Sequence, residues 1–175
     1  MQLTANQLIA HFGMTQLPVE GTSFVSTYRS AVELPDGGPI GTAMIGLYSG
    51  DPPSRSLFHR LAFDEVWHFY RGDPMRLVLL RDDGSSDDVV MGSDVLAGQR
   101  VQFVIPAGVW QAGELVAGGR WALFGCTMAP GFTGTCFEGG AIDTLLASHP
   151  DRAEDIRHFG IPDEHDTRMP DGFAT

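Results

Sequence analysis

The sequence contains no lysine. All eleven of its basic residues are arginine, so no side chain can form an imine with a carbonyl substrate, and Schiff-base mechanisms are excluded. Positive charge is scarce altogether: 11 arginines stand against 22 acidic residues, for a formal net charge of −11. A surface of that sign repels phosphate backbones and anionic lipid headgroups. No cluster of arginines offsets it locally, so neither nucleic acid nor a membrane surface is an expected partner. No apolar run approaches the roughly 18 residues of a membrane-spanning helix. The opening Met1-Gln2-Leu3-Thr4 lacks a basic segment followed by an apolar stretch, so no secretion signal is expected and a cytoplasmic location is the default. Cysteine is nearly absent too. Cys126 and Cys136 form neither a disulfide framework nor a CxxC metal spacing, and two buried, reduced thiols are expected.

The 175 residues, 43% of them hydrophobic, are enough for one domain with a sizeable core. Thr4-Ala5-Asn6-Gln7 fits a helix capping box, Leu8, Ile9 and Phe12 form an apolar stripe behind it, and Gly13 ends the helix. This helix is expected to pack on the outside of the domain. From about residue 23 to 137, short apolar or alternating runs recur at 23–33, 42–49, 56–61, 65–71, 75–81, 87–91, 100–105, 109–116, 120–128 and 133–137. Turn clusters such as Pro35-Asp36-Gly37-Gly38, Asp82-Asp83-Gly84-Ser85 and Gly118-Gly119 separate them. Many short, regularly spaced strands without intervening helical periodicity predict an all-β sandwich or barrel, and a jelly-roll closure manages its edges. Helix returns at 141–147 and after Pro150, where Asp151-Arg152-Ala153-Glu154 resembles a second capping box. Residues 1–160 are expected to form a single domain, and 161–175, with Pro162, Pro170 and mixed charge, a loose tail.

Two segments concentrate the chemistry. One runs from Ser56 to Gly72 and contains His59, Leu61, Glu65, Trp67, His68 and Tyr70. The other runs from Gly98 to Gln111 and contains Pro106 and Gly108. They resemble the two motifs of the cupins, whose first is HxH, three residues, Glu, six residues and Gly, and whose second contains PxGxxH. His59, Glu65 and Gly72 stand at the matching positions of the first, and Pro106 and Gly108 at those of the second. Leu61 replaces the second histidine and Gln111 the last. The chain also resembles one uncharacterised branch of the cupins, through Glu20-Gly21, Thr27-Tyr28-Arg29-Ser30, Asp64 to Pro74, Pro106 to Gln111 and Gly125 to Phe132. The resemblance covers roughly residues 5 to 160. It implies a double-stranded β-helix, that is, a cupin jelly-roll barrel with short terminal helices, similar in fold to the dTDP-sugar epimerases and paired as a homodimer.

Strand residues alternate between faces. If His59 and Glu65 point into the barrel, so does Trp67, while His68 and Tyr70 point away. His59 is the candidate general base with Glu65 orienting it, because a neighbouring carboxylate raises the basicity of an imidazole. Gln111 can donate to and accept from a hydroxyl or carbonyl, Trp67 offers a flat ring face, and Arg29 can hold an anionic group. The similar epimerases pair a histidine base with a tyrosine acid, and Tyr28 and Tyr48 are the candidates for that acid. If a metal is bound, its ligands are His59, Glu65 and Gln111. One imidazole, one carboxylate and one amide, however, fall short of three strong ligands, so no cofactor is expected and a divalent metal is the alternative.

Three functions follow as expectations. The first is a metal-independent isomerase or epimerase acting on a sugar, nucleotide sugar or other polar metabolite. The second is a metabolite-binding module without turnover. The third is a metal-dependent cupin with a reduced ligand set. A purely structural polar network among His59, Glu65 and Gln111 is weighed beside them. His68 is expected to be structural or interfacial, and Trp110 and Trp121 to be core or dimer contacts.

Overall fold

Alternation of apolar and polar residues builds two antiparallel sheets that face each other. The computed structural model describes residues 3–35 and 37–174; Met1, Gln2, Thr175 and Asp36 of the expected 35–38 turn lie outside the described residues. The strands are β1 (Thr15–Gln16), β2 (Ser23–Arg29), β3 (Thr42–Gly50), β4 (Pro53–Ser54), β5 (Ser56–Leu61), β6 (Glu65–Gly72), β7 (Met75–Leu80), β8 (Ser86–Met91), β9 (Gln102–Ile105), β10 (Trp110–Leu115), β11 (Trp121–Met128) and β12 (Phe137–Gly139). The larger sheet runs β1-β2-β3-β11-β6-β9 with β4 attached to β3, and the smaller runs β12-β5-β10-β7-β8. Strands adjacent in sequence are thus repeatedly split between the sheets, which is the jelly-roll arrangement expected from the sequence.

Three departures from the strand expectations have local causes. The run at 133–137 is a short 3-10 turn over Gly134–Cys136, and the strand begins only at Phe137. β2 stops at Arg29 rather than 33 and carries a bulge between Ser26 and Tyr28. The very short β1 and β4 have no periodicity to read.

The outer faces of both sheets are covered by helix. α1 (Ala5–Phe12) has its capping box: the Thr4 hydroxyl accepts from the Gln7 N–H, the Thr4 N–H donates to Gln7 Oε1 at 3.0 Å, and Gly13 closes the helix in the left-handed region. Its apolar stripe packs with Leu47 and Trp121 on the outside of the larger sheet. α2 (Ile142–Ser148) and α3 (Ala153–Phe159) cover the smaller sheet through Leu145, Ile156 and Phe159, which meet Phe58, Val78 and Leu80. Each such fully buried side chain contributes about 1.5–3 kcal/mol. The expected capping box at Asp151 is absent, because Arg152 is the residue before α3 and its side chain does not cap.

Between the sheets, Tyr48, Trp67, Met75, Leu77, Leu79, Ile105 and Phe124 close one end of the barrel. The other end is lined by Leu17, Leu61, Met128, Phe137 and Met169 with Phe24, Phe132 and Phe173. The segment expected as a loose tail is part of that lining. Although residues 161–174 form no helix or strand, Met169 is buried, Thr167 O accepts from Gly139 N at 2.7 Å, and Phe173 O accepts from Gly134 N at 3.1 Å. Its apolar side chains and backbone acceptors outweigh the composition that suggested mobility. Gly72, the last residue of the first motif, has φ +115, and a Cβ there would run into the backbone oxygen of Trp121, so only glycine fits. Both cysteines are free and buried.

Candidate functional site

His59 lies on β5, between β12 and β10, with Gly139 on one side and Gln111 on the other. Its neighbours Phe58 and Arg60 face outward, Phe58 under the helices and Arg60 over the Trp110 ring. His59 itself faces the barrel interior and is 3% exposed. Its ring stacks on Phe137, with centroids 5.3 Å apart and 13° between planes. Nδ1 lies 2.8 Å from Leu57 O. A carbonyl oxygen only accepts, so Nδ1 carries the hydrogen. Nε2 then lies 3.2 Å from Glu20 Oε2. Two facing lone pairs would repel, so a proton sits between these atoms, on one or the other.

Glu20 comes from the loop between β1 and β2. Its backbone is tied by Glu20 N to Pro18 O at 2.8 Å and by Leu57 N to Glu20 O at 2.9 Å. The preceding Val19 has φ 68. A β-branched residue in the left-handed region is strained, and here that turn delivers the carboxylate into the barrel, where it is 5% exposed. Glu20 Oε1 accepts from the hydroxyls of Thr22 and Ser56, and Tyr48 OH lies 2.6 Å from Ser56 Oγ. Sequence reasoning assigned Glu20 no role. Its signals were its place in the Glu20-Gly21 segment that carries the resemblance and its being a lone acid in an otherwise apolar turn, beside a glycine of positive φ.

Glu65, at the start of β6, is buried but is not the hydrogen-bond partner of His59 expected from the sequence. Its Oε2 accepts from Trp67 Nε1 at 2.8 Å and from Gln111 Nε2 at 2.9 Å, while Trp67 Nε1 also donates to Gln111 Oε1 at 3.0 Å. Burial pushes the Glu65 carboxyl up from its ordinary value. Nearby His59 pulls it back, the Glu20 charge adds to the rise, and the two N–H donors oppose it.

The space above these groups is a cavity of about 320 Å³. His59, Glu20, Glu65 and Trp67 line its floor, Phe24, Met44, Leu61, Met128 and Phe132 its walls, and Arg29 and Phe173 also border it. The other expected site residues fall differently. Trp67 reaches the cavity, but one ring face is stacked on Phe124 at 4.8 Å. Gln111 is outside the lining and serves Glu65 and Trp67 instead. Tyr28, at the β2 bulge, is 55% exposed and does not line the cavity, because the bulge turns it outward. Tyr48 is fully buried below the floor, where burial pushes its phenol well above the usual range and makes it a poor acid. His68 and Tyr70 point outward as alternation requires, with His68 between Thr127 and Gln102.

The donor set does not fit the metal site of a typical cupin. His59 supplies the one imidazole, and its Nε2 is engaged by Glu20. The Gln111 amide oxygen accepts the indole N–H, and the aliphatic Leu61 takes a ligand position. Among the described residues, no group of three or more His, Cys, Asp or Glu is arranged to hold a metal ion. None of the described helices is long and apolar enough to cross a membrane.

Comparison with known proteins bears on the family and the fold. The family described as the cupin superfamily (DUF985) matches residues 6–139. A protein from Shewanella oneidensis superposes with a TM-score of 0.84 at 29% identity, over 93% of this chain and 100% of that one. A hypothetical protein from Leishmania major gives a TM-score of 0.81 at 25% identity, over 90% and 99%. A cupin 2 conserved barrel domain protein from Rhodopseudomonas palustris shares the fold alone, with a TM-score of 0.55 at 13% identity over 84% and 87%. No curated protein matches.

Proposed function

The chain belongs to the cupin superfamily (DUF985), and from that premise we propose that its barrel cavity binds a sugar or another small polar metabolite and moves a proton on it without an obligatory metal, as an isomerase or epimerase does. The observation that carries this reading is the His59–Glu20 pair at the cavity floor, with Nε2 and Oε2 3.2 Å apart.

The pair has a preferred direction. Losing its proton leaves two lone pairs facing each other in a buried site, which is costly. Gaining a second proton leaves an imidazolium donating to a neutral carboxyl, and the hydrogen bond survives. In this reading the pair serves as the base. A proton leaving a carbon beside a carbonyl would go to Glu20, and the electron pair would stay on the substrate as an enolate. Returning the proton to the other face or to the neighbouring atom completes an epimerisation or isomerisation. Glu65 lies close by, and burial favours its protonated form, in which it donates to the developing substrate oxygen. The Tyr48–Ser56–Glu20 hydroxyl chain holds the acceptor carboxylate in place.

The test is incubation in D2O with a panel of sugars, nucleotide sugars and 2-oxo or 2-hydroxy acids, followed by proton NMR. The expected result is enzyme-dependent loss of a carbon-bound proton signal next to a carbonyl, absent in His59→Gln and Glu20→Gln. Turnover undiminished in both variants would overturn the mechanism. One observation favours a second reading, a binding module without turnover: among the described residues, no buried side-chain nitrogen or oxygen lacks a hydrogen-bond partner, as a finished polar floor would have it. Ligands that raise the melting temperature yet exchange no deuterium would establish that reading instead.

A further inference from the structure

Among the described residues that border the cavity, Arg29 is the one lysine or arginine. It sits at the end of β2, at the rim, and also borders the outer cleft formed with Glu33, Thr133 and Arg168. In a chain with twice as many acids as arginines, an exposed guanidinium readily finds a carboxylate. Arg60, Arg76, Arg81, Arg120, Arg152 and Arg168 each have one within ion-pair distance. Arg29, like Arg55, Arg71, Arg100 and Arg157, has no such pair among the described residues; what sets it apart is its place at the cavity, with a long hydrogen bond of 3.4 Å from Nη1 to Ala174 O. A planar cation with a weak neutral partner, at the mouth of an apolar space, suits an oxyanion that can take a bidentate bond.

The opposite end of the cavity selects against charge of that sign. Burial favours the neutral form of Glu65, and the His59 imidazole already answers the Glu20 carboxyl, so the buried floor offers a charged headgroup of either sign no counter-charge and suits a neutral, proton-bearing group. Between the two ends the walls offer Phe24, Met44, Leu61 and Met128. Building on the small-molecule reading above, we infer that the site takes a small amphipathic oxyanion, held with its carboxylate or phosphate on Arg29 at the mouth and an uncharged, partly apolar body directed at His59 and Glu20. Arg29 is then the residue that fixes which end of the ligand enters first.

Matched probes of one chain length test this: hexanoate, hexyl phosphate, 1-hexanol and hexylamine, titrated while the methyl signals of Met44 and Met128 are followed by NMR. Hexanoate or hexyl phosphate is expected to bind about tenfold more tightly than hexanol, the size of one charge-assisted bond, with hexylamine weakest. Whichever anion binds more tightly identifies the headgroup. Arg29→Gln is expected to bring the anions down to the level of hexanol while leaving hexanol binding unchanged, and Arg29→Lys to keep part of the preference. Equal binding of hexanol and the anions, or a preference that survives in Arg29→Gln, overturns the inference while the cavity remains a ligand site. No methyl response to any probe overturns the cavity reading and this inference together.

Discussion

His59 and Glu20, 39 positions apart in sequence, meet at 3.2 Å on the barrel floor with almost no contact with solvent. Each also holds partners of its own, Leu57 O for His59 and Thr22 and Ser56 for Glu20. Removing one member therefore strands the other. Glu20→Ala is expected to lower unfolding stability by about 3–5 kcal/mol, the loss typical of breaking a buried pair, and His59→Ala by a similar amount. The double variant should lose clearly less than the sum, with a coupling of about 1–3 kcal/mol. Urea unfolding of the four proteins measures it, and strict additivity would contradict a shared proton.

Glu65 gives a pH dependence of known sign. Its folded value lies above the ordinary 4.5, so between those two values the folded protein binds more protons than the unfolded chain. The contribution of this group to stability is fully present below pH 4.5 and is lost as the pH rises through the folded value. Glu65→Gln removes that loss and keeps an oxygen that can accept from Trp67 and Gln111. The stability of the variant relative to the parent should improve as the pH rises from 4.5 through the folded value of Glu65. Urea midpoints across that range give the answer, and a constant difference would show that Glu65 does not titrate abnormally.

The indole N–H of Trp67 is shared between Glu65 and Gln111. Trp67→Phe keeps a ring against Phe124 but removes that donor. The expected loss is about 1–3 kcal/mol. The Glu65 carboxyl, short of one N–H, should move further up, which carbon NMR of the labelled carboxyl can follow. If the carboxyl titration is unchanged, the bond is not one that holds the floor.

Two residues account for the poor metal fit, Leu61 and Gln111. Leu61 faces the cavity on the same side of β5 as His59, and Gln111 reaches Glu65 from β10. The double variant Leu61→His, Gln111→His places three imidazoles and one carboxylate around one point. Elemental analysis after mild dialysis is expected to give far less than one transition-metal ion per chain for the parent and close to one for the variant. A stoichiometric metal in the parent would return the metal-dependent reading to first place.

The sequence revealed the barrel because its strands alternate and its turns are marked, as at Asp82 to Ser85, where Gly84 has φ 83 and Asp83 caps Ser85. The inward placement of His59, Glu65 and Trp67 followed from the same two-residue period. What period alone does not supply is the partner across space. Glu65 appeared to belong to His59 because they are close in sequence, yet β5 and β6 lie in different sheets, and Glu65 pairs with groups on its own strand and on β10 instead. The real partner of His59 sits on a strained turn at Val19-Glu20, whose conformation no local pattern announces. Tyr28 was a candidate acid through the resemblance to the epimerases and not through strand period, and the bulge between Ser26 and Tyr28 turns it outward. Residues 161–174 looked mobile because their acceptors and apolar groups find partners only in distant segments such as Gly134 and Gly139.

Because β5 is flanked by β10 and β12, a chain leaving the ribosome carries His59 long before the neighbours that enclose it. In the folded chain the strands that flank His59 are β10, through Gln111, and β12, through Gly139. Enclosing His59 therefore needs contacts of long sequence separation, and the same end of the barrel is completed by Met169 and Phe173, which follow later still. A reagent that labels accessible histidines during synthesis would then mark the moment at which this barrel shuts.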